Sequence, residues 1–173
     1  NQHTRSFSAH AFKLIMQNMP IILSGKGNLE HWSKMQWAAV FAMYGLSNST
    51  SGPTGALSYY LGTHFKVKHG IAGGVFIGNI CKYNHENGYY ELSELYEGRD
   101  KNTLNDKEKS ALVVKEINNL LEHANIPKNL GGFGVKETDL YGFNEFAEQA
   151  RGALDFNPVK IDSARVAELF VTI

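Results

Sequence analysis

Apolar residues return every three or four positions along nearly the whole chain, and that spacing predicts helices rather than strands. Phe7, Ala11, Leu14, Ile15, Met19 and Ile22 mark the first helical face, which ends at Leu23. Pro20 predicts an end or a kink there, because proline lacks an N–H and its ring collides with the preceding turn. A polar turn, "SGKGN", leads to Asn28, a residue type that caps helices well. The helix after it has Trp32, Met35, Ala39, Phe41 or Ala42, and Met43 as its expected buried stripe. Its second half is apolar nearly all round, which predicts a central place in the core.

Beyond the break "SNSTSGP", a short helix is expected from a Thr54 cap to Phe65, with Gly62 near its end. Another apolar helix, "KHGIAGGVFIGNICKYN", carries Gly70, Gly73, Gly74 and Gly78. Each helix-interior glycine costs about 1 kcal/mol relative to alanine. Repeated glycines therefore need a reason: close helix–helix contact, or room for a ligand. "NGYYELSELYEGRD" predicts a continuing helix with Tyr90, Leu92, Leu95 and Tyr96 turned inward. The clearest helix follows, capped by Asp106 and stopped before Pro127. A loop and helix come next. The last helix, capped by Asp162, runs toward Ile173. Period-two alternation is weak everywhere. The pattern reads as an all-α, multi-helix bundle of six to nine helices, and 173 residues suffice for one compact domain.

Composition narrows the function classes. Lys plus Arg equals Asp plus Glu at 17 each, and no basic block is present, so nucleic acid is not an expected partner. No apolar run is long enough to span a bilayer. Cys81 stands alone, cannot form an internal disulfide, and reads as inert core; a cytoplasmic setting is the default. The opening "NQHTRSFSAHAF" enters a helix directly, without a Met or signal segment, and reads as the interior of a longer chain.

Candidate chemistry is sparse. None of the seven histidines forms an HExxH motif or an i, i+4 ligand pair. His10, His31 and His123 read as solvated, and His85 sits in a turn-like stretch with no role assigned. His69 differs, because it opens the glycine-rich helix. A helix N-terminus disfavours the imidazolium, and neutral imidazole is the form that binds metal. "GGFG" (Gly131 to Gly134) has no Lys-Ser/Thr after it, and Glu137 stands where a dinucleotide fingerprint needs its third glycine, so it reads as a turn.

In "SGPTGALSYYLGTHFKVKHGIAGG", Gly52, Ala56, Leu57, Leu61, Gly62, His69 and Gly70 keep one spacing without a gap. This stretch resembles the C-terminal helical domain of the iron-containing (group III) alcohol dehydrogenase family. "LEHWSKMQWAAVFAMYGLSNST", "GVFIGNICKYN" and "FNPVKIDSARVAELF" extend the resemblance over nearly the whole chain. It implies that residues 1–173 form a single helical domain, the C-terminal half of a longer two-domain protein. In that family an N-terminal α/β half binds NAD or NADP, and the helical half carries iron or zinc on one Asp and three His. The metal polarises the alcohol or carbonyl oxygen while hydride passes to or from the nicotinamide.

Carried over residue by residue, His69 matches the last metal-binding His. Gly55 stands where the preceding His ligand belongs, which puts the metal in question, and Lys68 replaces the usual Pro. The Asp and first His would precede Asn1. Tyr59 falls at a substrate-lining position, and Gly55, Tyr59 and His64 are the expected substrate pocket, with Tyr59 and His64 able to donate hydrogen bonds or move protons. Lys66 and Lys68 would suit an acidic substrate. The implied parent is an NAD(P)-dependent oxidoreductase acting on a small alcohol or carbonyl compound, with homo-oligomers common in the family. This chain alone is expected to be inactive. Two rival readings remain: a domain of a dehydroquinate synthase-like or polyol-phosphate enzyme, and a degenerate helical module that binds a partner.

Overall fold

Helix α1 (Gln2–Leu23) begins on a capping box, with Asn1 Oδ1 accepting from the Thr4 N–H at 3.0 Å. The computed structural model describes residues 1–100 and 102–170; the expected end of the last helix, residues 171–173, lies outside them. Pro20 does not end α1. It falls in the final turn, where one N–H is forgone, and the Ser24 N–H still reaches the Pro20 carbonyl at 3.1 Å. Helix α2 (Leu29–Ser47) is capped by Asn28 as expected. His31, read as solvated, closes that cap: Asn28 Oδ1 accepts from its N–H at 3.1 Å, and its Nδ1 lies 3.2 Å from the Asn28 N–H.

The expected place of α2 is corrected by the structure. The helix lies antiparallel on α1, with Phe41 edge-on to His10 at 4.5 Å and Phe7 beside Tyr44 at 5.5 Å. Only Ala38 and Gly45 are buried, and Met35 and Phe41 are half-buried; Trp32, Ala39, Ala42 and Met43 are exposed. Periodicity identified an apolar helix, but among the described elements α2 packs chiefly on α1, so much of its far side is left exposed.

Helix α3 (Gly52–Phe65) starts two residues before the expected Thr54 cap, because Pro53 is preorganised for a first helical turn and Gly52 supplies a φ of +54°. Helix α4 (His69–Glu86) packs beside it. Between Tyr90 and Tyr96 the structure holds a five-residue 3-10 turn, Glu91–Leu95, instead of a continuous helix, and the four residues expected inward are half-buried. Helix α5 (Asp106–His123) is capped by Asn105, not Asp106: Asn105 Oδ1 accepts from the Glu108 N–H at 3.0 Å and the Glu108 carboxylate returns the bond at 2.8 Å.

Helices α6 (Leu140–Gln149), α7 (Arg151–Leu154) and α8 (Val166–Phe170) close over α3 and α4. Asp162 acts as a cap, accepting from the Ala164 N–H at 3.1 Å, one 3-10 turn before α8. The core is centred on Leu57, Leu61, Phe76, Phe143, Leu154 and Val166, with Phe143 edge-on to Tyr60 at 4.9 Å. No strand is present among the described residues, and no helix there is long and apolar enough to cross a membrane.

The glycines of α4 divide between the two reasons. A Cβ at Gly78 would stand 2.6 Å from Asn118 Oδ1 and 3.0 Å from Leu121, so Gly78 lets α5 approach. Gly70 and Gly73 face no atom within 4 Å and border open space.

Candidate functional site

The chain reverses between α3 and α4 in three residues. Lys66 takes a left-handed φ of 59°, and the Val67 N–H folds back to the Leu61 carbonyl at 3.2 Å. This tight return sets the first residue of α4 beside the middle of α3. His69 therefore lies over Tyr59, with ring centroids 5.8 Å apart and planes tilted by 39°. Both side chains are exposed. Ser58, Tyr59, Gly62, Thr63, Val67 and His69 line an open cleft of about 300 Å³.

Hydrogen bonds leave some of this lining available and commit the rest. The buried Ser58 hydroxyl donates to the Gly55 carbonyl at 2.7 Å, and Thr63 Oγ1 donates to the Tyr59 carbonyl at 2.8 Å. Neither was singled out from sequence, although Thr63 stands four residues beyond Tyr59, on the same helical face. Tyr60, one residue along, belongs to the core: its hydroxyl donates to the Asp139 carbonyl at 3.3 Å, and burial, then the nearby Asp139 charge, raise its pKa.

The other residues singled out from sequence lie apart. His64 stacks on Tyr60 at 4.3 Å, and its Nδ1 is 3.1 Å from the Tyr60 carbonyl, outside the cleft lining. Lys66 donates to the Thr63 carbonyl at 3.2 Å and closes the last turn of α3. At Gly55 the space is not empty. A Cβ there would overlap the Ser51 hydroxyl and come within 2.5 Å of Ser51 Cβ. Ser51 is the residue that caps α3, directly before Gly52 with its φ of +54°.

These residues do not fit a divalent ion on their own. His69 is the only imidazole in the cleft lining, and no group of three His, Cys, Asp or Glu is gathered among the described residues. One imidazole cannot hold such an ion. Cys81 is no substitute: burial pushes its thiol up to about 11, so it stays protonated.

The model of the Fe-containing alcohol dehydrogenase family, C-terminal part, matches residues 1–173. The 1,3-propanediol dehydrogenase of Citrobacter freundii is 27% identical over 172 residues, which is 98% of this chain and 44% of that protein. The NAD-dependent methanol dehydrogenase of Bacillus methanolicus is 24% identical over 140 residues, 79% of this chain and 36% of that protein. The crystal structure of a 1,3-propanediol oxidoreductase superposes with a TM-score of 0.85 at 26% identity, covering 98% of this chain and 45% of that one. The chain thus spans less than half the length of these relatives.

Proposed function

The chain belongs to the Fe-containing alcohol dehydrogenase family, and from that premise we propose that it is the helical, C-terminal domain of a two-domain, NAD(P)-dependent oxidoreductase. The parent interconverts a small alcohol and its aldehyde or ketone. The observation that carries this reading is the pairing of Tyr59 and His69 across the α3–α4 reversal, on the wall of an open cleft. Names of the relatives supply the reaction class: they act on 1,3-propanediol and methanol.

In this reading the domain forms one wall of the substrate site. The Tyr59 phenol can donate to an alcohol or carbonyl oxygen, and the His69 imidazole can accept the hydroxyl proton. Oxidation moves hydride from the carbinol carbon to the nicotinamide and releases that proton, so the electrons balance. The nucleotide belongs to the part of the parent outside residues 1–173. No step is assigned to a metal, because this domain contributes one imidazole only. A cytoplasmic setting suits the lone Cys81, and a homo-oligomer is the proposed assembly.

The test is nicotinamide reduction by short alcohols and diols in the longest natural chain carrying this domain. Tyr59→Phe and His69→Ala should each lower kcat by about a hundredfold or more, in the range of a lost acid–base group. His64→Ala should leave turnover near the wild-type value. Unaltered turnover in both cleft variants, or no nicotinamide-linked reaction with any alcohol, overturns the reading.

A further inference from the structure

A crevice of about 300 Å³ lies between α1 and the body of the domain and shares no residue with the Tyr59–His69 cleft. Ala9 and Phe12 of α1, Ile77 and Cys81 of α4, Leu92 of the 3-10 turn and Ile117 of α5 line it. None of these is fully buried, and Ile77 is 40% exposed, so apolar surface inside the crevice is left uncovered. Ala9 offers a single methyl group where a larger side chain would close the space. Small-molecule sites are of this kind: concave, mostly apolar, from about 300 Å³ upward, with a few polar groups that orient the ligand. The charged groups among the lining residues are Arg5, Glu91 and Glu94, each about half exposed, which places them at the mouth. Arg5 pairs with both carboxylates, with Glu94 at 3.3 Å, and the Tyr89 hydroxyl donates to Glu91 Oε2 at 3.0 Å.

We propose that this crevice binds a small amphiphile with a primary ammonium head and a short apolar chain. The apolar floor selects the chain, because each methylene that leaves water there adds affinity. The charge at the mouth selects the head. Two carboxylates share one guanidinium, so one negative charge is left over. An ammonium offsets that charge and can share the carboxylate oxygens with Arg5. An anionic head would set a third negative charge beside them, and like charges repel. A neutral head gains the apolar contact alone.

The test is isoleucine and valine methyl NMR on the longest natural chain carrying this domain, titrated at neutral pH with n-hexylamine, hexanamide and hexanoate. Hexylamine is protonated there, as a lysine side chain is. The methyl groups of Ile77 and Ile117 should shift, and those of Val67, in the Tyr59–His69 cleft, should not. Hexylamine should bind about two- to fivefold more tightly than hexanamide, the range of an exposed ion pair, and hexanoate more weakly than either. Along the n-alkylamines from propyl upward, each added methylene should tighten binding by about fourfold until the crevice is full. Glu91→Gln with Glu94→Gln keeps the shape of the mouth and leaves Arg5 as the one charge among the lining residues. The order should then invert, with hexanoate binding more tightly than hexylamine. Ala9→Phe fills the crevice and should abolish the shifts for all three probes.

No shift at Ile77 and Ile117 with hexylamine overturns the proposal, and so does wild-type binding in which hexanoate equals or exceeds the amine. An amine that shifts Val67 instead occupies the cleft and overturns it as well. The same holds for hexylamine binding that Ale9→Phe leaves unaltered, or an order of affinities that survives the loss of both carboxylates. None of these measurements reads alcohol turnover, so the proposed function stands or falls separately.

Discussion

At Gly55 the chain has neither a side chain to offer nor room for one. The Ser51 side chain lies where a Cβ would project. Gly55→His therefore forces the start of α3 apart. We expect a loss of about 1–3 kcal/mol, the usual cost of overpacking, read from urea denaturation, and no zinc retained after gel filtration. Ser51→Gly in the same chain should recover most of the stability. A fully stable Gly55→His that binds zinc stoichiometrically would show that the site was merely vacant. That Gly55 has no side chain to coordinate with was readable from sequence. That Ser51 fills the space beside it was not, because this depends on how the chain enters α3. Tyr59, as a substrate-lining position, and His69, as the last metal-binding His, were each singled out by resemblance, and the three-residue reversal explains why the two rings meet. His64 was grouped with Gly55 and Tyr59 as the expected substrate pocket. On a helix, five residues from Tyr59 is about 140° away, and the structure turns it toward Tyr60.

Elements were easier to find than their neighbours. Helical spacing located α1, α2, α4 and α5, and short polar side chains located the starts of α2 and α5 to within a residue. What spacing cannot say is which side of an apolar helix meets a partner. Helix α2 was expected at the centre and lies at the edge, because burial depends on what packs against a stripe and not on the stripe itself. The glycines of α4 make the same point in a testable way. Gly73 faces open space, so Gly73→Ala should stabilise the protein by up to about 1 kcal/mol through helix propensity alone. Gly78 touches α5, where Asn118 is itself held by a 2.8 Å bond to the Val114 carbonyl. Gly78→Ala must displace that side chain and Leu121, and we expect a net loss of about 1–2 kcal/mol despite the same propensity gain. Thermal melts of the two variants should move in opposite directions. Equal shifts would mean that α4 and α5 are not in close contact at Gly78.

On the scale of the whole molecule, the α1–α2 hairpin leans on the body along one seam. Arg5 pairs with Glu91 and, at 3.3 Å, with Glu94; Lys13 pairs with Glu97 at 2.8 Å. These pairs are exposed and contribute little each. Tyr89 lies beneath them, donating to Glu91 Oε2 at 3.0 Å. Burial first, and then the bond to Glu91, push its phenol from 10 to about 12. The folded chain therefore keeps a proton that the unfolded chain releases near pH 10. Stability from this group is complete below pH 10, falls as pH rises from 10 to 12, and is gone above that window. Tyr89→Phe removes the ionisation but keeps the ring. Urea midpoints measured at pH 9, 10.5 and 11.5 should fall more steeply for the wild type than for the variant, because only the wild type loses this proton on unfolding. The Tyr60 phenol, also raised by burial, titrates in the variant as well, so a residual slope is expected there. Parallel curves for the two proteins would place Tyr89 in contact with water.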